Sequence, residues 1–247
     1  MKKTIIFIFS SLFSIVCLAQ TNMSVDYYYY YKQNFAPIAD DHNSTLTINN
    51  GYSLYEIDVL KKQDSLPNSF DTDIGNVRVL KEKSNRFYYK DLKKNTVLSS
   101  ESIYFRKFTV ETNLDIFKWK LTNNKKEILG YNCQEAKINY GGRDYIAYFT
   151  TEIPIQNGPY KFHGLPGLIL EIKTQDDEME FSIIALKINL KSNKKIENPY
   201  TKKKKIYSKE DFEAMYRKKY DEVTSYQGEG GASFSMSKGK IERIIKE

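Results

Sequence analysis

The chain has 247 residues, with 38 Lys plus Arg against 31 Asp plus Glu, a formal net charge of +7, and only two His and two Cys. That supply excludes zinc centres built from His and Cys clustered at short spacing. A phosphate-cradling loop is excluded as well, because Gly228, Gly230 and Gly231 are not followed by the Lys-Ser/Thr pair such a loop requires.

Met1-Lys2-Lys3 is a short positive start, residues 4 to about 16 are mainly apolar, and Cys17-Leu18-Ala19 ends in small residues. This order is that of a cleavable export signal. Its apolar stretch falls short of the roughly 20 residues that span a bilayer. Val16 stands where a lipid-attachment motif wants Gly, Ala or Ser before its cysteine. The expectation is therefore cleavage near Ala19, with residues 20–247 as a single β-rich domain, periplasmic or secreted and without a lipid anchor. Cleavage removes Cys17 and leaves Cys133 with no partner in the chain, so the core rather than a disulfide must hold the fold.

Twenty Tyr and fourteen Phe among many Ile and Val, broken by Asn and Gly, are strand chemistry. Met23–Tyr31, with five consecutive tyrosines, reads as a first strand whose alternate rings face opposite sides. Asn49-Asn50-Gly51 predicts a hairpin between Leu46–Ile48 and Tyr52–Val59. Lys61 to Asn76 reads as a polar loop or insertion. Short strands follow at Val77–Lys81, Arg86–Lys90, Ile103–Val110 and Ile116–Leu121, the last holding Trp119, the only tryptophan. Glu127–Tyr140 reads as one long strand, with Cys133 as an apolar filler, turned by Gly141-Gly142 into Arg143–Thr150. Leu168–Lys173 and Met179–Leu190 pair around the acidic turn 175–178.

A basic linker spans about 191–206. Its run Lys202, Lys203, Lys204 and Lys205 marks a solvated stretch that can meet acidic lipid headgroups. No aromatic interleaving suggests nucleic acid as a partner. Ser208 with Asp211 caps a helix carrying Phe212, Met215, Tyr216, Tyr220 and Val223 at helical spacing. Gln227–Ser237 reads as a flexible loop before a basic end at Ile241–Lys246. The predicted fold is mainly β (α+β): a curved antiparallel sheet or partly open barrel, with one C-terminal amphipathic helix packed on it.

The sharpest local feature is Gly158-Pro159-Tyr160-Lys161-Phe162-His163, followed by Gly164-Leu165-Pro166-Gly167-Leu168-Ile169. Pro166 and Gly167 suit the two central positions of a type II turn, with glycine accepting positive φ. Leu165 and Leu168 would then flank a turn that enters the core. A second reading makes the segment a binding loop, with Tyr160 and His163 supplying polar contacts.

This segment resembles the GLPGLI family of exported bacterial proteins, named for the residues standing here at Gly164 to Ile169. The resemblance continues through Gly130-Tyr131-Asn132-Cys133-Gln134-Glu135-Ala136, Gly142-Arg143, the strand containing Tyr148, Ile153-Pro154 and Gly158-Pro159-Tyr160. It is close over residues 100 to 190 and looser elsewhere. Ala147-Tyr148-Phe149 departs from it, since a Trp is expected among those aromatics. The family implies a secreted or periplasmic protein of Gram-negative bacteria and brings no established activity with it.

Function divides between two classes. One is a non-catalytic binding or accessory protein of the cell envelope, with an apolar ligand, a peptide or an envelope protein as partner. By fold analogy alone, a curved sheet with a helix against it can enclose an apolar ligand as half-barrel lipoprotein carriers do. The other is an extracytoplasmic hydrolase. Its one sketch brings Cys133 to His163 with Asp144 or Glu152 as orienter, and no nucleophile-elbow pattern supports it. Carboxylate pairs for glycoside chemistry assemble only in the fold. No catalytic residue, metal site or cofactor is assigned.

Overall fold

The structure, a computed structural model, describes residues 22–34, 39–63, 69–72, 75–78, 82–104 and 106–226, together with 236, 242 and 244. The export signal and most of the two C-terminal stretches named above lie outside the described residues.

The strands are β1 (Met23–Gln33), β2 (Asp40–Asn49), β3 (Tyr52–Ile57), β4 (Ser69–Thr72), β5 (Gly75–Arg78), β6 (Arg86–Asp91), β7 (Thr96–Ile103), β8 (Arg106–Asn113), β9 (Lys120–Ile128), β10 (Tyr131–Tyr140), β11 (Arg143–Thr150), β12 (Leu168–Thr174), β13 (Met179–Asn189) and β14 (Ile206–Ser208). Two helices join them, α1 (Leu60–Gln63) and α2 (Lys209–Thr224). One open curved sheet of twelve strands runs β14-β8-β7-β6-β3-β2-β1-β13-β12-β11-β10-β9, and β4-β5 is a separate pair. Neighbours are antiparallel except β14 beside β8, which is parallel.

The tyrosine-rich β1 sits at the centre. It pairs with β2 on one side and with β13, more than 140 residues on, along the other, as in Tyr29↔Ile183. Period-2 alternation sorts its side chains. Tyr27, Tyr29 and Tyr31 are buried on the inner face while Tyr28 stays exposed on the outer. The inner face continues through Tyr55, Tyr88, Tyr145, Phe149, Phe181 and Ile183 into one core. Each large apolar side chain buried there contributes about 1.5–3 kcal/mol.

Two-residue turns with positive φ at both positions make the tight hairpins. Asn50 (51°) and Gly51 (83°) join β2 to β3, and Gly141 (56°) and Gly142 (71°) join β10 to β11. A third such turn corrects the long strand predicted at 127–140. Leu129 (53°) and Gly130 (81°) fold it back, so that Ile128 pairs with Tyr131. The stretch 103–110 is likewise divided, since Tyr104 (52°) ends one arm and β7, unforeseen over Thr96–Ser102, pairs with β8. Trp119 precedes a strand instead of lying within one. The polar stretch 61–76 contains most of α1 and one arm of the β4-β5 hairpin, and the strand foreseen at 77–81 lies at 75–78.

Helix α2 begins where foreseen, with Ser208 Oγ accepting from Asp211 N at 3.0 Å. Phe212 and Tyr216 bury against Ile103 and Val110 in a second small cluster that Phe108, Met215, Met236 and Ile244 border. The segment 190–205 is irregular, as its composition suggests, yet it is pinned to the sheet. Ser192 N donates to Asn22 O at 2.9 Å, and the Tyr200 hydroxyl donates to Phe87 O at 2.6 Å. It is a strap over the sheet more than a free linker, and Lys202–Lys205 remain exposed on it.

Candidate functional site

The segment between β11 and β12 lies against the inner face and buries about half of its residues. Ile153, Asn157, Gly158, Pro159, Tyr160, Lys161, Phe162, Leu165 and Gly167 are all buried. Leu168 N donates to Ile153 O at 3.1 Å and Ile169 N to Asn157 O at 2.9 Å, which ties the loop to the start of β12. Tyr27 of the central strand donates its hydroxyl to Ile169 O at 2.8 Å.

Lys90 is the residue around which this loop is wound. It lies on β6, two positions after the buried Tyr88 and on the same face, and its exposure is 0%. Its ammonium donates to Asn157 Oδ1 at 3.0 Å, Gly158 O at 2.7 Å and Phe162 O at 2.9 Å. An ammonium has three donors, and here each has an acceptor. Burial pushes the Lys90 pKa well below its ordinary 10.5. Desolvating a charge costs several kcal/mol, and three charge-assisted hydrogen bonds of about 1.5–3 kcal/mol each offset that. Among the described residues no carboxylate takes part, and all three acceptors are carbonyl oxygens of the loop.

The aromatic residues seal the arrangement. Tyr160, at φ 56°, stacks obliquely on Tyr88 with ring centroids 4.3 Å apart. Phe162 meets Phe117, Tyr145 and Tyr160 within 5.2–5.8 Å. Trp119 donates its indole N–H to His163 O at 2.8 Å.

The structure corrects the turn chemistry of the motif. Gly167 does not adopt positive φ; Gly164 does, at 93°. Gly167 N donates to Leu165 O at 2.7 Å, so the hydrogen bond closes around Pro166 in the three-residue γ pattern instead of the four-residue type II pattern. The glycine at 167 is required for space. A Cβ there would stand 2.0 Å from Thr150 O, a backbone atom that cannot retreat cheaply. Gly158 is similarly crowded, since a Cβ would lie 2.8 Å from two carbons of Ile169.

The predicted site residues therefore divide. Tyr160, Leu165, Gly167, Leu168 and Ile169 face inward as framework, whereas Gly164 and Pro166 are exposed and His163 is half-buried at the rim. Burial, then the Lys90 charge, lower the His163 pKa to about 4, which leaves a neutral imidazole at neutral pH. Cys133 is buried and donates to Tyr131 O at 3.5 Å. Burial pushes its thiol up to about 11, away from the thiolate a nucleophile needs. Asp144 accepts from Asn139 at 2.8 Å, and Glu152 accepts from Asn132 N at 2.9 Å. Among the described residues no group of three or more His, Cys, Asp or Glu is placed to hold a metal ion.

Sequence reasoning missed Lys90, Asn157 and the ion cluster beside the loop. Lys161 is 5% exposed and meets Glu101 at 2.8 Å and Glu242 at 2.9 Å, while Lys209 reaches the other oxygen of Glu242 at 2.7 Å. Burial works against the Lys161 charge, but the two carboxylates overcome it and hold its pKa well above the usual value. Lys90 had a legible signal: Tyr88-x-Lys90 places a lysine in register with an inward ring. Glu242 had none, since its partners are 33 and 81 residues away.

Fold and site define an open antiparallel sheet whose inner face is closed by its own β11–β12 loop. A family model described as a protein of unknown function (Porph_ging) matches residues 141–171, which are β11, this loop and the start of β12. No curated protein matches the chain. PNGF-II is similar in fold in two crystal forms. In its C2 form the identity is 15% and the TM-score 0.50, over 80% of this chain and 32% of that one. In its P21 form the identity is 15% and the TM-score 0.50, over 81% and 34%. This chain thus spans about a third of PNGF-II. A LolA superfamily protein, NE2245 from Nitrosomonas europaea, matches at 7% identity and a TM-score of 0.30, over 70% of this chain and 88% of that one. No helix among the described residues is long and apolar enough to cross a membrane.

Proposed function

We propose that the chain is an exported protein of the GLPGLI type, a single β-rich domain that acts as a non-catalytic binding or accessory protein of the cell envelope. Cleavage near Ala19 would release it to the periplasm or the exterior. The observation that carries the reading is the loop wound around Lys90. With Lys90 holding Asn157, Gly158 and Phe162, and with Gly167 pressed against Thr150 O, it supports reading the motif Gly164–Ile169 as a fold-defining element of a rigid scaffold, with recognition on the opposite face of the sheet. On that face Tyr28, Ile184 and Leu186 stand exposed on adjacent strands, where an apolar ligand, a peptide or an envelope protein would find purchase. Exposed Lys202–Lys205 add a site for anionic headgroups.

The hydrolase reading is the less supported of the two. Burial holds its cysteine as a thiol and lowers the pKa of its histidine to about 4, too weak a base for the thiol. Native mass spectrometry of the purified exported protein tests the proposal. A co-purified ligand or partner at defined stoichiometry is the expected result. Turnover of an ester, amide or glycoside panel that is lost on alkylation of Cys133 would overturn it.

A further inference from the structure

The outer face carries a second feature that the loop does not explain. Cross-strand pairing lays two rows of side chains over β3, β6, β7 and β8. Leu54↔Tyr89, Tyr89↔Leu98 and Leu98↔Glu111 form one, and Tyr52↔Asp91 and Asp91↔Thr96 the other. The strap crosses beside them and contributes Asn198 as a wall. Together they enclose a half-open groove of about 240 Å³. That is below the about 300–1,000 Å³ of a pocket for a drug-sized molecule, so its occupant is no larger than a single ring-sized unit.

The lining is polar and largely uncommitted. Asp91 is used by the turn after β6, accepting from Lys93 N and Lys94 N at 3.1 Å each. Asn198 Oδ1 accepts from Tyr200 N at 2.8 Å, which aims its amide nitrogen elsewhere. By contrast, the hydroxyls of Tyr52, Tyr89 and Thr96, the Glu111 carboxylate and the Asn198 amide N–H groups make no hydrogen bond to any described residue. The Tyr52 and Tyr89 rings lie 5.9 Å apart and within 19° of parallel, so two aromatic surfaces share one orientation.

We infer that this groove binds one sugar ring of a saccharide. The inference rests on the binding-protein reading and names its ligand class. Three hydroxyls that both donate and accept, one carboxylate that accepts two hydroxyl protons and one amide that donates are the complement of a ring bearing adjacent hydroxyls. The tyrosine rings offer apolar area to the C–H face of such a ring. A cationic amine fits less well, because Lys94, 3.9 Å from Asp91, also lines the groove and brings its own positive charge. A purely apolar ligand would leave five polar groups unpaired.

Saturation-transfer NMR on the full exported chain, with methyl glycosides of common hexoses and N-acetylhexosamines as probes, tests this. Wild type should show saturation transfer from at least one glycoside. Glu111→Gln, at an exposed position, should weaken that binding about tenfold or more without moving the melting temperature, as loss of a charge-assisted hydrogen bond requires. Tyr89→Ala should abolish it. The inference is overturned if no glycoside binds, if binding persists unchanged in both variants, or if butylammonium binds in place of the sugars. A co-purified non-sugar ligand seen by native mass spectrometry alongside such a failure would sink the groove and leave the broader binding reading standing.

Discussion

Two irregular segments of this protein, the loop between β11 and β12 and the strap at 190–205, have opposite relations to the sheet. The loop buries nine of its residues, surrounds a lysine and accepts backbone hydrogen bonds from β12. The strap buries Ser192 and Tyr200 and leaves its lysines in water. Both contain proline and both would pass as connections by composition. What separates them is what their backbones can be paired with. The loop has interior partners for its carbonyls, in Lys90 and Trp119, and so can bury its backbone, with Asn157 Nδ2 as the one buried side-chain nitrogen there that has no partner among the described residues. The strap has few, and it stays at the surface where its polar atoms can meet water or a ligand.

The largest effect that would break this contrast is at Gly167. Gly167→Ala drives a methyl group into Thr150 O and should cost ~3 kcal/mol or more, read from the urea midpoint. An unchanged midpoint would mean the loop moves freely, like the strap. The alkaline limb is next. Burial raises the pKa values of Tyr27, Tyr55, Tyr88 and Tyr160 above the ordinary 10.0. Their folded values exceed the unfolded ones, so the stability they contribute is complete below pH 10 and is lost as pH rises beyond it, by up to roughly 1.4 kcal/mol per pH unit for each phenol. Phenolate absorbance from this group should therefore appear together with cooperative unfolding. Gradual titration in a folded chain would show that the inner face is open to water. The smallest effect belongs to the strap. Replacing Lys202–Lys205 with Gln should change stability by no more than about 0.5 kcal/mol. Sedimentation with anionic vesicles should fall, at about 1 kcal/mol of attraction per lysine removed.

Much of the fold was legible because it depends on period-2 patterning and on turn residues. The five tyrosines of β1, the Asn50-Gly51 and Gly141-Gly142 turns and the Ser208 cap all announce themselves locally. Leu129-Gly130 did not, because a leucine at positive φ contradicts its own preference and is paid for by the pairing of β9 with β10. The motif at 164–169 was legible as a fixed shape, but its mechanism was misassigned. Proline-glycine suits a type II turn in isolation, whereas the crowding at Thr150 that demands glycine exists only after β11 and β12 have come together. Lys90 illustrates the middle case. Its inward register could be read from Tyr88, but its three acceptors lie 67 to 72 residues further on.

The central claim is that the β11–β12 loop is framework held by Lys90. Hydrogen exchange on wild type and Lys90→Met addresses it directly. In wild type the amides of Gly167, Leu168 and Ile169 should be protected as strongly as those of β1 and β13. In Lys90→Met, which takes the ammonium donor from Gly158 O and Phe162 O and leaves Asn157 Oδ1 with Gly158 N alone, those amides should lose protection by about tenfold or more while β1 and β13 keep theirs. Rapid exchange of these three amides in the wild-type protein, at the rate of the strap, would contradict the account.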